Sequence, residues 1–374
     1  MSKRYSVLIC VLFCGFLGLI ALAHLFMPDK EFSETENRYL TELTDVKTDF
    51  DSIVSGEMMS EFETYLTDQF PLRDSWISAK TLVERLSGKQ ENNGVYFGSQ
   101  DTLITQFDEP DWDEVDQNLS YVQSFAEQAE IPVYFSLIPG KVTVWADRLP
   151  DNAPNADEDA VISRGEAVNA NWVDMEGSLE EHSDESIYYR TDHHWTSLGA
   201  YYGYTALMRA MNIEPVLLSD YQKTTVSTSF FGTTYSKSGV RWISPDSIDV
   251  YVPADGISVT SYATGSPVES GLYVDSFLSK KDKYSMFLGG NTPLCVIKTG
   301  LTDAPKLLII RDSYTDSLAP FLTAHFSEIH LVDLRYYNSF NPKDYIQQNG
   351  IDAAAVLFSV DNFVSASGLF LLGT

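Results

Sequence analysis

Basic residues are scarce in this chain of 374 residues: 25 Lys and Arg stand against 53 Asp and Glu, for a formal net charge of −28. Such a surface repels phosphate backbones, which excludes a nucleic-acid-binding role. Cysteine is nearly absent, with only Cys10, Cys14 and Cys295. Three cysteines so placed build neither a disulfide framework nor a zinc site of paired thiolates. Histidine is rare as well, at six residues, and the chain contains no internal repeat or low-complexity tract. What is present is a 44% hydrophobic, 13% aromatic composition, which excludes a disordered acidic chain. The length suits one large domain or two ordinary ones.

Charge is missing altogether from Tyr5 to Met27. At about 1.5 Å per residue, this run spans a hydrocarbon core about 30 Å thick. Lys3 and Arg4 precede it, and Asp29, Glu31, Glu34 and Glu36 follow, so the positive-inside rule keeps the N-terminus in the cytoplasm and exports the rest. The expected form is a single-pass cell-membrane protein with residues 1–28 as a signal-anchor. The alternative is a secreted protein, cut after Ala21-Leu22-Ala23, but the apolar run continues past that point through Leu25, Phe26 and Met27. Cys10 and Cys14 lie on one face of this helix as packing residues, leaving Cys295 alone in the exported part. All 53 acidic residues and all but two of the basic ones follow Pro28, so the negative charge belongs to the exported surface.

Residues 29–48 read as a polar juxtamembrane connector and residues 49–374 as the domain. Apolar residues recur at helical spacing over 49–87, with Pro71 separating two helices and Gly88 as a stop. Asn92-Asn93-Gly94 is a turn before a short Val95–Phe97 strand. Trp112–Ala129 is an amphipathic helix, followed by a buried strand over Ile131–Ile138 that ends at Pro139-Gly140. Thr196–Met211 is a helix capped by Thr196 or Ser197. Residues 215–285, rich in Ser, Thr, Gly and Tyr, read as an insertion of short strands and loops. The end of the chain alternates regularly: strand 306–310, helix 318–326, strand 329–334, helix 341–348 stopped by Gly350, strand 354–358. Apolar strands in a β-α-β-α-β run imply an α/β fold with a mostly parallel sheet covered on both faces.

Parallel α/β sheets place sites at the carboxyl ends of strands. Arg311-Asp312-Ser313-Tyr314-Thr315 lies at such an end, before a helix whose first N–H groups suit an oxyanion. By itself, Ser313 or Thr315 reads as a helix cap. A second segment, Thr191-Asp192-His193-His194-Trp195-Thr196, changes that balance. In an extended chain Asp192 and His194 project to the same side, so the carboxylate can hold one nitrogen of His194 and leave the other to take a proton. Serine needs such a base. The expected triad is Ser313 as nucleophile, His194 as general base and acid, and Asp192 orienting His194. A metal site from Asp192, His193, His194 and Asp312 is the competing arrangement. Adjacent histidines point to opposite sides of an extended chain, which disfavours it, and no metal or cofactor is expected.

The run Tyr188-Tyr189-Arg190-Thr191-Asp192-His193-His194-Trp195-Thr196, with Gly199 beyond it, resembles the signature of the DHHW protein family, which is related to the SGNH hydrolase-like acetyltransferases of alginate O-acetylation. Glu36-Asn37-Arg38 with Leu40, Phe70-Pro71 with Arg73, Ile138-Pro139 with Lys141, Tyr284, Phe287, Gly289-Gly290-Asn291 and Arg311-Asp312-Ser313-Tyr314 carry the resemblance along most of the exported chain. It implies an SGNH-like, flavodoxin-like three-layer fold and the same triad of Asp192, His194 and Ser313. Arg311 stands where the wider SGNH pattern has glycine, and a cation there can narrow the pocket or stabilise charge. Asn291 is the first candidate for the oxyanion hole and Asn362 the second. Arg311, Tyr314, Lys141 and Trp195 complete the oxyanion and substrate candidates.

The expected activity is an extracytoplasmic serine acyltransferase or esterase that adds or removes acetyl groups on a cell-surface polysaccharide or exopolysaccharide. The relatives imply a multi-spanning membrane acyltransferase of the MBOAT type as partner. A local basic cleft from Arg38, Lys141, Arg190 and Arg311 would offset the acidic surface. The alternatives are a non-catalytic carbohydrate-binding protein on the same fold, discriminated by a Ser313 far from His194 or an Arg311 blocking the approach, and a metal-dependent phosphoesterase.

Overall fold

A computed structural model describes residues 3–33, 35–36, 38–263 and 266–373. Glu34 and Asn37, both used above, lie outside the described residues. Contacts divide the chain into two compact units, one of Met1–Lys89 with Gly239–Arg241, the other of Gln90–Ser238 with Trp242–Thr374. The boundary therefore falls after the helices of 50–86, which group with the connector rather than with the remainder of the chain.

In the first unit, α1 (Lys3–Phe26) is long and apolar enough to cross a membrane. Three further helices follow: α2 (Phe50–Ser55), α3 (Glu57–Asp68) and α4 (Arg73–Leu86). The sequence predicts two. The extra break is Gly56, whose φ of 83° only glycine adopts freely. Pro71 lies in the α3–α4 turn, as expected. The patches around Glu36 and Arg73 meet here: Arg38 pairs with Asp68 and Glu36, and Arg73 pairs with Glu36. Arg38 is thus consumed in an ion-pair network that ties the connector to α3 and α4.

The second unit is built on an eight-stranded sheet. In chain order, α5 (Trp112–Gln128) precedes β1 (Val133–Ile138) and β2 (Asn171–Trp172); α6 (Ser197–Ala210) precedes β3 (Ser258–Ser261), β4 (Val268–Ser270), β5 (Leu294–Lys298) and β6 (Lys306–Arg311). Then come α7 (Thr315–Leu322), β7 (Glu328–Val332), α8 (Pro342–Asn349), β8 (Ala353–Ser359) and α9 (Val360–Val364). The spatial order is β4-β3-β5-β7-β6-β8-β1-β2. The β7-β6-β8-β1-β2 portion is parallel, and β5, β3 and β4 add antiparallel strands at one edge.

Alternation along β6 sets the layers. Leu307 and Ile309 pack with Trp195, Tyr204, Leu318 and Phe321 on one face. Leu308 and Ile310 pack with Val115, Val122, Phe125 and Val356 on the other. All are buried, at about 1.5–3 kcal/mol for each large aliphatic side chain. The fold is therefore the expected three-layer α/β arrangement. The 215–285 segment is more than an insertion: β3 and β4 extend the central sheet, while Thr224–Phe230 and Asp246–Val250 form a separate hairpin. Their polar alternation suits an edge with one solvated face.

Candidate active site

Ser313 lies between the end of β6 and the start of α7, at the carboxyl edge of the parallel strands. The turn is fixed by Asp312, fully buried, whose carboxylate accepts from Tyr314 N–H (3.0 Å), Ser359 N–H (2.8 Å), Ser359 Oγ (2.7 Å) and Asn362 Nδ2 (2.8 Å). These bonds clamp the serine turn to the end of β8 and the start of α9. The Ser313 N–H has no hydrogen-bond partner among the described residues.

The histidines reach Ser313 from a closed loop. Tyr188 and Trp195 form an isolated antiparallel bridge, and Thr196 N–H donates to Ile187 O at 2.8 Å. Thr196 also caps α6, accepting from Gly199 N–H at 3.3 Å. A Cβ on Gly199 would fall 2.2 Å from the Ile187 carbonyl oxygen, which accounts for glycine there. At the loop tip, His194 Nδ1 donates to Asp192 Oδ1 at 2.6 Å, and Ser313 Oγ donates to His194 Nε2 at 2.8 Å. Asp192 and His194 are buried, and Ser313 keeps 9% exposure. Burial alone would raise the Asp192 carboxyl. The facing histidines and the bonds from His194 and the Thr233 N–H outweigh it and hold the carboxyl well below the usual carboxylate range.

Two residues frame His194 that the triad pattern did not identify. Tyr284 stacks on its ring at 3.8 Å between centroids and 10° between planes, and its hydroxyl donates to Ser313 O at 3.1 Å. Thr233 donates to Asp192 Oδ2 through both its N–H (2.7 Å) and Oγ1 (3.0 Å). Gly232 precedes it because a Cβ there would come within 2.1 Å of Asp192 Oδ2. Tyr284 was visible only as a family match. Thr233 carried no signal beyond its place in a Ser/Thr-rich segment.

The remaining candidates fall into different places. Trp195 is fully buried and donates from Nε1 to Tyr314 O (2.9 Å) and Ser317 Oγ (3.0 Å), joining the histidine loop to the serine turn from beneath. Tyr314 reciprocates, its hydroxyl donating to His193 O at 2.5 Å. Lys141 is buried, donating to the carbonyls of Leu103 and Tyr189; burial, opposed by Asp192, pushes its pKa down to about 8. Arg311 is fully buried, paired with Asp316 at 3.0 Å, and it donates to Asn291 Oδ1 at 3.2 Å. Burial, opposed by Arg311, pushes Asp316 up to about 7. Asn291 is an exposed residue turned to Arg311, whereas Asn362 is bonded to the serine turn itself.

The expected basic cleft does not form. Arg38 pairs with Asp68, Arg190 with Asp101 and Asp246, and Arg311 with Asp316, while Lys141 is internal. The three arginines are held by carboxylates and Lys141 by backbone carbonyls. The expectation that His193 and His194 point apart also fails. The loop is bent, not extended, and their rings lie 3.8 Å apart. Asp192, His193 and His194 consequently bring ligand-type atoms within 4.8 Å of one another. Those atoms are engaged internally: both Asp192 oxygens accept hydrogen bonds, His194 bridges Asp192 and Ser313, and His193 Nδ1 meets Thr233 Oγ1 at 2.7 Å.

A crystal structure of a DHHW family protein from Eubacterium siraeum superposes with a TM-score of 0.66 at 27% identity, covering 75% of this chain and 96% of that one. Bacillus cereus PatB1, solved with a sulfonyl adduct, shares the fold with a TM-score of 0.59 at 19% identity over 71% of this chain and 94% of its own. A probable alginate O-acetylase, AlgJ of Pseudomonas aeruginosa, is 21% identical over 159 residues, 40% of this chain. The alignment spans about two fifths of that curated relative's length, 41%. The family model named DHHW protein matches residues 126–332, more than half the chain, and includes both the Asp192–Trp195 signature and Ser313; the chain belongs to the DHHW family.

Proposed function

We propose that the chain is an extracytoplasmic serine O-acyltransferase or esterase acting on a polysaccharide through an acyl-Ser313 intermediate. The observation that carries this reading is the continuous chain Asp192–His194–Ser313, with bonds of 2.6 and 2.8 Å. His194 Nε2 takes the Ser313 proton as Oγ attacks the donor carbonyl, then gives it to the leaving group. In the second half, His194 takes the proton of an acceptor hydroxyl or water, which attacks the acyl carbon. Ser313 Oγ leaves and recovers the proton. The Ser313 N–H, without a partner among the described residues, and the second N–H of Asn362 would supply the donors to the oxyanion. Asp192 orients His194 and stabilises its charged form, and Tyr284 fixes the plane of the ring.

The acetyl group and the polysaccharide are suggested by the AlgJ relationship. The closed Ser313–His194 contact and the inward-turned Arg311 support catalysis over a carbohydrate-binding scaffold. The helix α1 supports a signal-anchor that would hold the second unit outside the membrane, where a multi-spanning acyltransferase could deliver the acyl group. Reaction with a fluorophosphonate serine reagent tests the reading. Labelling is expected in the wild type and is expected to be lost in Ser313→Ala and strongly reduced in His194→Ala. Equal labelling of all three proteins would sink it.

A further inference from the structure

Near the triad lies a pocket lined by polar side chains, several of which the acylation chemistry does not use. It has a volume of about 220 Å³, and Tyr314 and His193, the neighbours of nucleophile and base, both line it. No aliphatic side chain takes part. Thr105, Thr233 and Thr234 supply hydroxyls, Asn362 an amide, Lys237 a cation and Asp361 an anion. Lys237 and Asp361 act on each other electrostatically without a direct ion pair between them among the described residues.

The protonation of His193 follows from its neighbours. Asp192 is ionised and accepts only, so the single Thr233 hydroxyl proton goes to Asp192 Oδ2. Thr233 Oγ1 must then accept from His193, which places the proton on His193 Nδ1. Desolvation and the facing His194 push the His193 pKa down to about 4, so the ring is neutral and Nε2 carries a lone pair. Nε2 has no partner among the described residues, on a side chain about a third exposed. An atom that only accepts cannot stabilise an oxyanion, but it can hold a hydroxyl.

We propose that His193 is a positioning residue, its Nε2 accepting a hydrogen bond from a hydroxyl of an uncharged sugar ring seated in this pocket. The inference rests on the acyl-Ser313 reading and names the acceptor class for it. One cation against one anion balances the pocket, and the acidic surface of the whole chain disfavours an anionic sugar. Hydroxyls of the ring would pair with Thr105, Thr234, Lys237 and Asp361, and hold the reacting hydroxyl toward His194 and Ser313.

The test reads how acetyl-enzyme formed from p-nitrophenyl acetate divides between hydrolysis and transfer to methyl glucoside. This ratio is set after acylation, so it does not depend on how fast a variant is acylated. His193→Asn keeps a donor to Thr233 in the place of Nδ1 and removes the acceptor, whereas His193→Gln carries an acceptor oxygen to the place of Nε2. The ratio is expected to fall roughly tenfold in the Asn variant, the worth of one neutral hydrogen bond, and to recover in the Gln variant. In the wild type, methyl glucoside is expected to exceed both methyl glucuronide and ethanol at equal concentration. A ratio unchanged in His193→Asn, or a glucuronide or ethanol that matches glucoside, would overturn the proposal, and the wild-type comparison stands whether or not a variant folds. A wild type that forms no acetyl-Ser313 at all is a separate result, since it removes the acyl-enzyme reading itself.

Discussion

The two halves of the candidate site are held in opposite ways. Ser313 follows directly from a central parallel strand, and its turn is clamped by one buried carboxylate, Asp312, to the end of the next strand. His194 sits at the tip of a loop outside the sheet, positioned by side chains from three other segments: Thr233 on Asp192, Tyr284 on the imidazole, and Asp246 on Thr191. The serine half is a product of sheet topology. The histidine half is a product of polar contacts between distant segments. Damage to the first should therefore appear as lost stability, and damage to the second as lost activity in a folded protein.

The largest effect belongs to Asp312→Ala, which leaves buried donors of Tyr314, Ser359 and Asn362 unpaired and should cost on the order of 3–5 kcal/mol in urea unfolding. A variant of near wild-type stability would show that the clamp does not hold the serine turn.

Glu158 offers a second break on the sheet side. It accepts from the Gly140 N–H just past β1, and burial, reinforced by Asp361, pushes its carboxyl from the ordinary 4.5 up to about 8. A raised folded-state value means that its stabilising contribution is full below about pH 4.5 and is lost as pH rises through about 8. The wild type should thus lose a few kcal/mol between about pH 5 and about pH 9 relative to Glu158→Gln, and parallel curves for the two would contradict this.

On the histidine side, Gly232→Ala drives a Cβ against Asp192 and should lower esterase kcat/KM on the order of a hundredfold with the unfolding midpoint nearly kept. Thr233→Val keeps the backbone donor to Asp192 and loses the hydroxyl, so a fall of roughly tenfold is expected. If these two variants unfold instead of losing activity, the contrast between the halves is broken.

The same contrast decides what the amino-acid pattern reveals. Strands β6, β7 and β8 are legible because burial on both faces makes most of their positions apolar, and the serine site follows from their carboxyl ends. Asp192 and His194 were readable from their spacing, though for a different reason: a bent loop, not an extended strand, brings them together, and it also brings His193 alongside. Thr233, Tyr284 and the sheet strands β3 and β4 were not readable as site or core. Their partners are fixed only by tertiary contact, and their polar, half-solvated pattern matches that of a surface loop. The basic cleft failed for a related reason. Charge pairing inside an acidic fold depends on which carboxylate lies nearest, as Arg311 and Asp316 show.

The central claim is that Ser313 becomes covalently acylated with His194 as its base. Mass spectrometry of the protein quenched shortly after mixing with p-nitrophenyl acetate tests it most directly. The account predicts one added acetyl group, located on the peptide containing Ser313, absent in Ser313→Ala and greatly reduced in His194→Ala. An unmodified Ser313 peptide in a folded wild-type protein that still turns over the ester would contradict it.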